Sequence, residues 1–377
     1  VEPVVCERAT LLAYRLYDIA DEIHLEAARR LLTDNTRPLR LARAGSQYLE
    51  LPRPPLSFEL GRRPVKLAFG GSREVAREVM VDVAVRVFDH GAASVQLRLP
   101  VTPGTPLDAL VPLTDELDDS REVDALCREV VEGVRTRLAP ALQGSHLWEQ
   151  HESYTVVFCE EVQGRPTARE LMARADLPRL LLGETQAATL SEAERAAVLA
   201  SHFSYTEHDL VVIDWNAAFV YEPSGLSDIP DLLELANAQL LELRYYDEQL
   251  DARLQSTYDE VGRRRGRWYS LFRSPYQRLA RRTLVTLLEI DEFVERAENS
   301  LKIVGDVYLA KVYEAAVAQM RVPEWQRSVT RKQGLLARAY DLLKGEVDTA
   351  RALTLEATIV FLIVFEIFLA VFNVLGH

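Results

Sequence analysis

From Ala357 to Leu375 the chain reads ATIVFLIVFEIFLAVFNVL, with a single acid, Glu366, and a single amide, Asn373. At ~1.5 Å per residue such a helix spans roughly 28 Å, about the hydrocarbon thickness of a bilayer. A helix that is apolar on every side belongs either inside a large core or in a membrane. Only Gly376 and His377 follow it, and the mean hydropathy of the whole chain, −0.07, leaves the remainder suited to water. The expectation is a single-pass C-terminal tail anchor, with Glu356 where the helix enters the bilayer. Flanking charge sets its direction. Arg331, Lys332, Arg338, Lys344 and Arg351 precede the run and no Lys or Arg follows it. The positive-inside rule then places residues 1–353 in the cytoplasm.

Glu366 sits near the middle of the run, where an ionised carboxylate costs about 2.5–3.5 kcal/mol on insertion scales. On a helical wheel it shares a face with Ile359, Leu362, Ile363, Ala370 and Asn373, while Phe361, Phe365, Phe368 and Phe372 lie opposite. The phenylalanines suit lipid and the Glu366/Asn373 face suits another helix. With one span per chain, that helix comes from another chain, so a homo-oligomer or a hetero-complex is expected. The alternative is a protonated Glu366 bonded to its own backbone.

The chain of 377 residues is long enough for two or three units. Its net charge of −13 excludes a global nucleic-acid footprint. Cys6, Cys127 and Cys159 form no CxxC pair and no disulfide framework, which fits a reducing compartment.

The patterning gives an α+β head over 1–225. Ala9–Tyr17, Val65–Phe69 and Tyr154–Cys159 read as strands, Asp21–Leu32 and Ser120–Leu138 as amphipathic helices, Arg37–Leu60 as short strands and Glu74–Glu78 as a helical turn. Val79–Phe88 and Ala92–Leu99 flank Asp89-His90-Gly91 as a hairpin, and Leu210–Asp214 with Ala217–Tyr221 forms a second. Ser191–Ala200 opens on a capping-box-like S-E-A-E. Residues 226–353 keep three-four apolar spacing in three runs: Ile229 to Val261 with Leu250, Leu254 and Tyr258, then Leu287 to Ala315, then Trp325 to Ala350. They predict a three-helix antiparallel, coiled-coil-like stalk that continues into the anchor over 354–377.

Between the first two runs lies GRRRGRWYSLFRSPYQRLARR, Gly262 to Arg282, with eight arginines and no acid. Arg263, Arg264, Arg265, Arg267, Trp268, Tyr269, Phe272, Arg273 and Arg278 form a candidate membrane-surface contact. Arginines meet anionic headgroups at about 1 kcal/mol each, and aromatics favour the interface. Nucleic acid or a solvated loop are the other readings of the block.

Motifs for chemistry are absent. There is no GxxxxGK[ST], no HExxH, no GxSxG and no Cys/His zinc spacing. His146, His151, His202 and His208 could gather round a metal, and Asp214 with Glu222 could pair, but no nucleophile has a recognisable base. No catalytic residue, metal or cofactor is expected.

LEATIVFLIVFEI, from Leu355 to Ile367, with Glu356 and Glu366 ten residues apart, resembles the end of the "required for meiotic nuclear division" family. AYRLYDIADEIHLEAARRLL (13–32) is similar to that family's opening strand and helix. VRVFDHGAASVQL (85–97) is similar to its Phe-Asp-Tyr-Gly hairpin, with His90 replacing the aromatic, and 300–325 is similar to its helical region before the anchor. The resemblance implies a membrane protein without known catalysis that forms a large homo-oligomer, with Glu356 and Glu366 as shared-pattern positions. A bacterial cytoplasmic (inner) membrane is the expected location.

Two functions follow from these observations. The first is a non-enzymatic, membrane-anchored oligomeric scaffold that presents its head to an unknown cytoplasmic protein. The second is ion transport, loosely analogous to CorA-type magnesium channels, with Glu366 and Asn373 lining an oligomeric pore. The second span and the Gly-Met-Asn loop of those channels are missing here.

Overall fold

The structure is a computed structural model, and it describes residues 3–32, 36–39, 53–68, 76–185, 190–264, 276–300 and 307–375. The strands are β1 (Val5–Asp18), β2 (Glu22–Ile23), β3 (Arg37–Pro38), β4 (Leu56–Ala68), β5 (Ala76–Val87), β6 (Ala92–Pro100), β7 (Thr105–Pro106), β8 (Leu142–Gln143), β9 (Glu152–Val162), β10 (His202–Phe203), β11 (Leu210–Ile213) and β12 (Ala217–Tyr221). The helices are α1 (Leu25–Leu31), α2 (Val111–Asp118), α3 (Arg121–Leu138), α4 (Ala168–Arg174), α5 (Leu177–Leu181), α6 (Glu192–Leu199), α7 (Asp228–Arg264), α8 (Gln277–Ser300), α9 (Val307–Gln319) and α10 (Val322–Leu375).

The chain divides into two units. One comprises Val1–Tyr245 with Glu298–Trp325, and the other comprises Tyr246–Ala297 with Gln326–His377. The first is built on a sheet ordered β10-β11-β12-β9-β1-β6-β5-β4-β3, with β7 paired to β1. All neighbours are antiparallel except β12 and β9. Strand β1 explains the centre: every residue from Leu11 to Asp18 is buried, as expected for a strand covered on both faces. Ala9, Leu11, Ala13 and Tyr17 join the core shared with Val123, Val131 and Leu138 of α3 and with Leu113 and Leu117 of α2.

The opposite face, carrying Tyr14 and Arg86, meets α7 through Asp231 and Glu234. Ile229, Leu232, Leu233, Ala236, Leu240, Leu241 and Leu243 of α7 are buried. Each of these leucine and isoleucine side chains contributes about 1.5–3 kcal/mol when fully buried. Helix α9 lies in the same unit, where Tyr313 Oη donates to Gln239 Oε1 at 3.1 Å.

The two hairpins and the strands at 9–17 and 154–159 fall where the sequence patterns put them. Gly91 closes the first hairpin at φ +104, and a Cβ there would lie 1.7 Å from the Ala20 carbonyl oxygen. Ser120 caps α3, accepting from the Val123 amide, and Ser191 caps α6, accepting from the Glu194 amide at 3.1 Å.

Other expectations are corrected. The helix over Asp21–Leu32 is shortened to Leu25–Leu31, because the Ile23 and His24 amides donate to Asp89 O and Ala141 O. Ala76–Glu78 is strand, not a helical turn, and is held in register opposite Lys66–Ala68 of β4. Strand β4 is continuous from Leu56 and absorbs an irregularity at Gly61. The single long second helix is described as α8 and α9, whose main parts belong to different units. The first half of α7 spends its apolar face on the sheet, so a three-helix stalk does not extend over 226–353 among the described residues.

Within the second unit, Leu250, Leu254, Leu287, Ile290, Val329, Leu336, Leu343 and Val347 are buried, as their spacing predicts, whereas Tyr258 is exposed. Leu279, Ala280 and Leu343 cluster, and Lys332 reaches Asp247 at 2.8 Å and Asp251 at 2.6 Å.

The α7–sheet contact depends on charge as well as apolar area. Arg86 Nη2 donates to Asp231 Oδ1 at 2.8 Å, Nη1 donates to Glu234 Oε2, and Nε donates to Ser57 Oγ at 2.8 Å. Replacing Arg86 by Met leaves the buried Glu234 without its counter-charge. That change costs about 3–5 kcal/mol, read as a shift in urea denaturation. Arg86→Met with Glu234→Leu recovers most of the loss. A cost under about 1 kcal/mol for the single change contradicts this role.

Candidate functional site

Two features can carry function: the apolar end of α10 and the buried charge networks of the sheet unit. Helix α10 runs unbroken from Val322 to Leu375, and its apolar window has a mean hydropathy of 2.3 with none of it buried. A core helix of the same composition would be buried. From Leu353 to Leu369, twelve large apolar side chains are 49–66% exposed. Thr354 Oγ1 donates to Ala350 O at 2.7 Å and Thr358 Oγ1 to Thr354 O at 2.8 Å. Both hydroxyls are therefore satisfied within the helix, as a lipid setting requires. Phe361 and Phe365 stack at 6.3 Å.

Of the residues singled out for an oligomer contact, Ile359, Leu362, Ile363, Glu366 and Ala370 are all exposed. Asn373 lies on the same helix, and Glu356 is exposed at its expected level. Among the described residues, Ile359, Leu362, Ile363, Glu366 and Ala370 meet no second helix. Of the arginine block, Arg265, Arg267, Trp268, Tyr269, Phe272 and Arg273 lie outside the described residues. Arg263 and Arg264 end α7, and Arg278 is exposed in the first turn of α8.

The four histidines do not gather. His146 meets Asp18, His151 lies 3.6 Å from Asp124, His202 Nδ1 contacts Leu199 O at 2.7 Å and His208 Nδ1 contacts Pro166 O at 3.3 Å. Among the described residues no three His, Cys, Asp or Glu side chains are placed to hold a metal. Glu222 Oε1 accepts from Ser224 Oγ at 2.7 Å and closes a turn instead of pairing with Asp214. The buried Cys6 and Cys159 thiols touch at 3.4 Å on neighbouring strands.

Sequence reading missed the charged residues inside the sheet unit. Arg15 is fully buried and donates to Asp124 at 2.7 Å and to the Leu117 and Asp118 carbonyls at 2.8 and 2.9 Å, tying the end of α2 to β1. His146 Nδ1 contacts Gly144 O at 2.8 Å while Nε2 faces Asp18. Both ring nitrogens thus meet acceptors, which calls for the imidazolium. The ring stacks on Tyr245 of α7 at 5.0 Å. His90 lies between Asp89 at 3.6 Å and Glu242 of α7 at 3.5 Å. Burial opposes the charge on both rings, but the carboxylates outweigh it and hold both above the ordinary imidazole value. These groups hold α7 and the 142–148 segment to the sheet, and among the described residues they assemble no nucleophile with a base.

Residues 8–228 match the family described as the N-terminal domain of the uncharacterised protein MJ0711. The chain belongs to that family, and the matched residues comprise the sheet with α1 to α6, ending where α7 begins. One relative is "Uncharacterized protein MJ0711" of Methanocaldococcus jannaschii, 26% identical over 220 residues, which is 58% of this chain and 66% of the relative. The match therefore covers just under two thirds of that protein. No solved structure matches the chain. The resemblance to the "required for meiotic nuclear division" proteins is not confirmed by these matches.

The raised imidazoles set a pH dependence. Their stabilisation is complete below about pH 6.5, the ordinary His value, and is lost as the pH rises through their higher folded values. The Tm of the sheet unit in the full chain is thus expected to fall between pH 6 and pH 8, with His146→Gln flattening the profile. A Tm that rises over that range in the unaltered chain contradicts the assignment.

Proposed function

We propose that this protein is a non-enzymatic, membrane-anchored oligomeric scaffold that presents an MJ0711-type head to a cytoplasmic protein. The exposed apolar length of α10 carries this reading, since among the described residues nothing buries it. A basic upstream flank, from Arg331 to Arg351, supports a cytoplasmic head under the positive-inside rule. The buried networks support binding over catalysis, because each charged group already has a structural partner. The helices of the second unit serve as the stalk, with the coiled-coil register proposed from the three-four spacing. Self-association through the Glu366/Asn373 face gives the polar groups of the span their partners and gives the head multiplicity. The relation to the "required for meiotic nuclear division" proteins belongs to the same proposal, resting on Glu356 and Glu366.

The test is the mass of the full chain in mild detergent. Several copies per particle are expected, and Glu366→Leu weakens self-association by roughly 3- to 30-fold, the range of interhelical polar contacts in membranes. A monomer at all concentrations contradicts the scaffold. Ion flux in proteoliposomes that Glu366→Ala abolishes also contradicts it and assigns transport.

A further inference from the structure

The second unit concentrates positive charge in an otherwise acidic chain. An open cavity of about 440 Å³ is lined by Arg253 of α7 and by Arg278, Arg281, Arg282, Val285 and Thr286 of α8. Arg278, Arg281 and Arg282 stand at i, i+3 and i+4, so one helical face presents all three. An adjoining cavity of about 310 Å³ shares Arg253, Arg282 and Thr286 and brings in one acid, Asp259, which accepts from Gln255 Nε2 at 3.4 Å. None of the four guanidinium groups has an ion-pair partner among the described residues, whereas Lys332 in the same unit takes two carboxylates. Four unpaired cations around one cavity repel each other until an anion fills it.

We propose that this cavity binds the phosphate of an anionic lipid headgroup. The inference rests on the membrane reading of α10. A tetrahedral phosphate matches the two-pronged donors of arginine and bridges several of them at once. Apolar surface beside the charge favours a lipid over free phosphate. Val285 lines the cavity and is 47% exposed, and Leu284 and Leu288 beside it are 37% and 58% exposed. Among the described residues no aromatic ring lines the cavity to stack a base, which disfavours RNA.

Position agrees with a lipid source. Leu279 and Ala280 pack on Leu343, whereas Thr283 and Thr286 share a cavity with Leu336. Helix α8 therefore runs opposite to α10, and its arginine-bearing first turns form the end nearer the apolar run. Beyond the isolated exposed Leu335 and Leu342, the dense run of exposed apolar residues begins at Leu353, ten residues or roughly 15 Å beyond Leu343 along the helix. The polar layer of a bilayer fills about 5–8 Å of that distance, and a long arginine side chain spans the rest.

The full chain is reconstituted in nanodiscs of phosphatidylcholine containing phosphatidylglycerol, and the lipid retained on detergent release is counted by native mass spectrometry. Retention of phosphatidylglycerol is expected, falling about fivefold per arginine removed, the equivalent of ~1 kcal/mol each. Arg278→Gln with Arg281→Gln is then about 25-fold weaker, and Arg281→Lys, which keeps the charge, retains part of the binding. These side chains are exposed, and an unchanged circular dichroism spectrum confirms that the variants fold. A second arm titrates inorganic phosphate into the chain in neutral detergent. Arginine-dependent phosphate binding without lipid retention supports the anion site and overturns the lipid source. Arginine-dependent binding of an RNA oligonucleotide alone overturns the proposal, as does retention that ignores the arginines. Carbonate resistance of the same preparation is scored separately, so failure of the anchor and failure of the cavity are told apart.

Discussion

Residues 353–369 form a helix that is apolar on every side and long enough, with the residues that follow, to cross a membrane. Twelve large apolar side chains there keep about half or more of their surface exposed. Leaving them in water forfeits on the order of 10–20 kcal/mol, as much as an entire domain's folding stability of about 5–15 kcal/mol. Among the described residues no helix covers them, and the hydroxyls beside them have turned inward to backbone carbonyls. The remaining features gain meaning from that constraint: the basic flank before the run, the lone Glu366 within it, and the arginine cavity an antiparallel helix away.

The sheet unit is held together from both sides. Both faces of its central strand are covered, one by α2 and α3 and the other by the first half of α7. The second contact is tied by Arg86 between Asp231 and Glu234, and at its far end by His90 and His146 against Glu242, Asp18 and Tyr245. Removing one member of such a buried set is costly because the others keep their desolvated charges. The family to which the chain belongs matches this unit over residues 8–228. The helices that follow are thus additional to the shared domain.

What the sequence revealed follows from periodicity. Alternation in β5 and β6 around Gly91, the cap at Ser191 and the uniform apolarity of 357–375 are local signals, and local signals can be read from one chain. The faces of α7 were harder. Ile229 to Leu243 and Leu250 to Leu254 keep the same three-four spacing, yet one stretch packs on a sheet and the other on helices. Spacing says that a face is buried and not what buries it. Arg86 with Glu234, and Asp18 with His146, are separated by 148 and 128 residues, so no window contains both partners. Arg86 did leave a trace, as a charge on the second face of a strand whose first face is Val81, Val83, Val85 and Val87. Asp231 and Glu234 left another, as acids inside an apolar helix face. The candidate lipid site was half legible: Arg278, Arg281 and Arg282 stand out as a run, but Arg253 joins them only through helix packing.

The account rests on where α10 resides, and alkaline extraction of membranes from cells making the full chain tests that most directly. Washing with sodium carbonate strips proteins held by charge and leaves those held by hydrocarbon. The account predicts that the protein stays with the sedimented membranes after the wash and leaves them only when detergent dissolves the bilayer. Its appearance in the carbonate supernatant would contradict the assignment of residues 353–375 to lipid, and with it the scaffold built on that assignment.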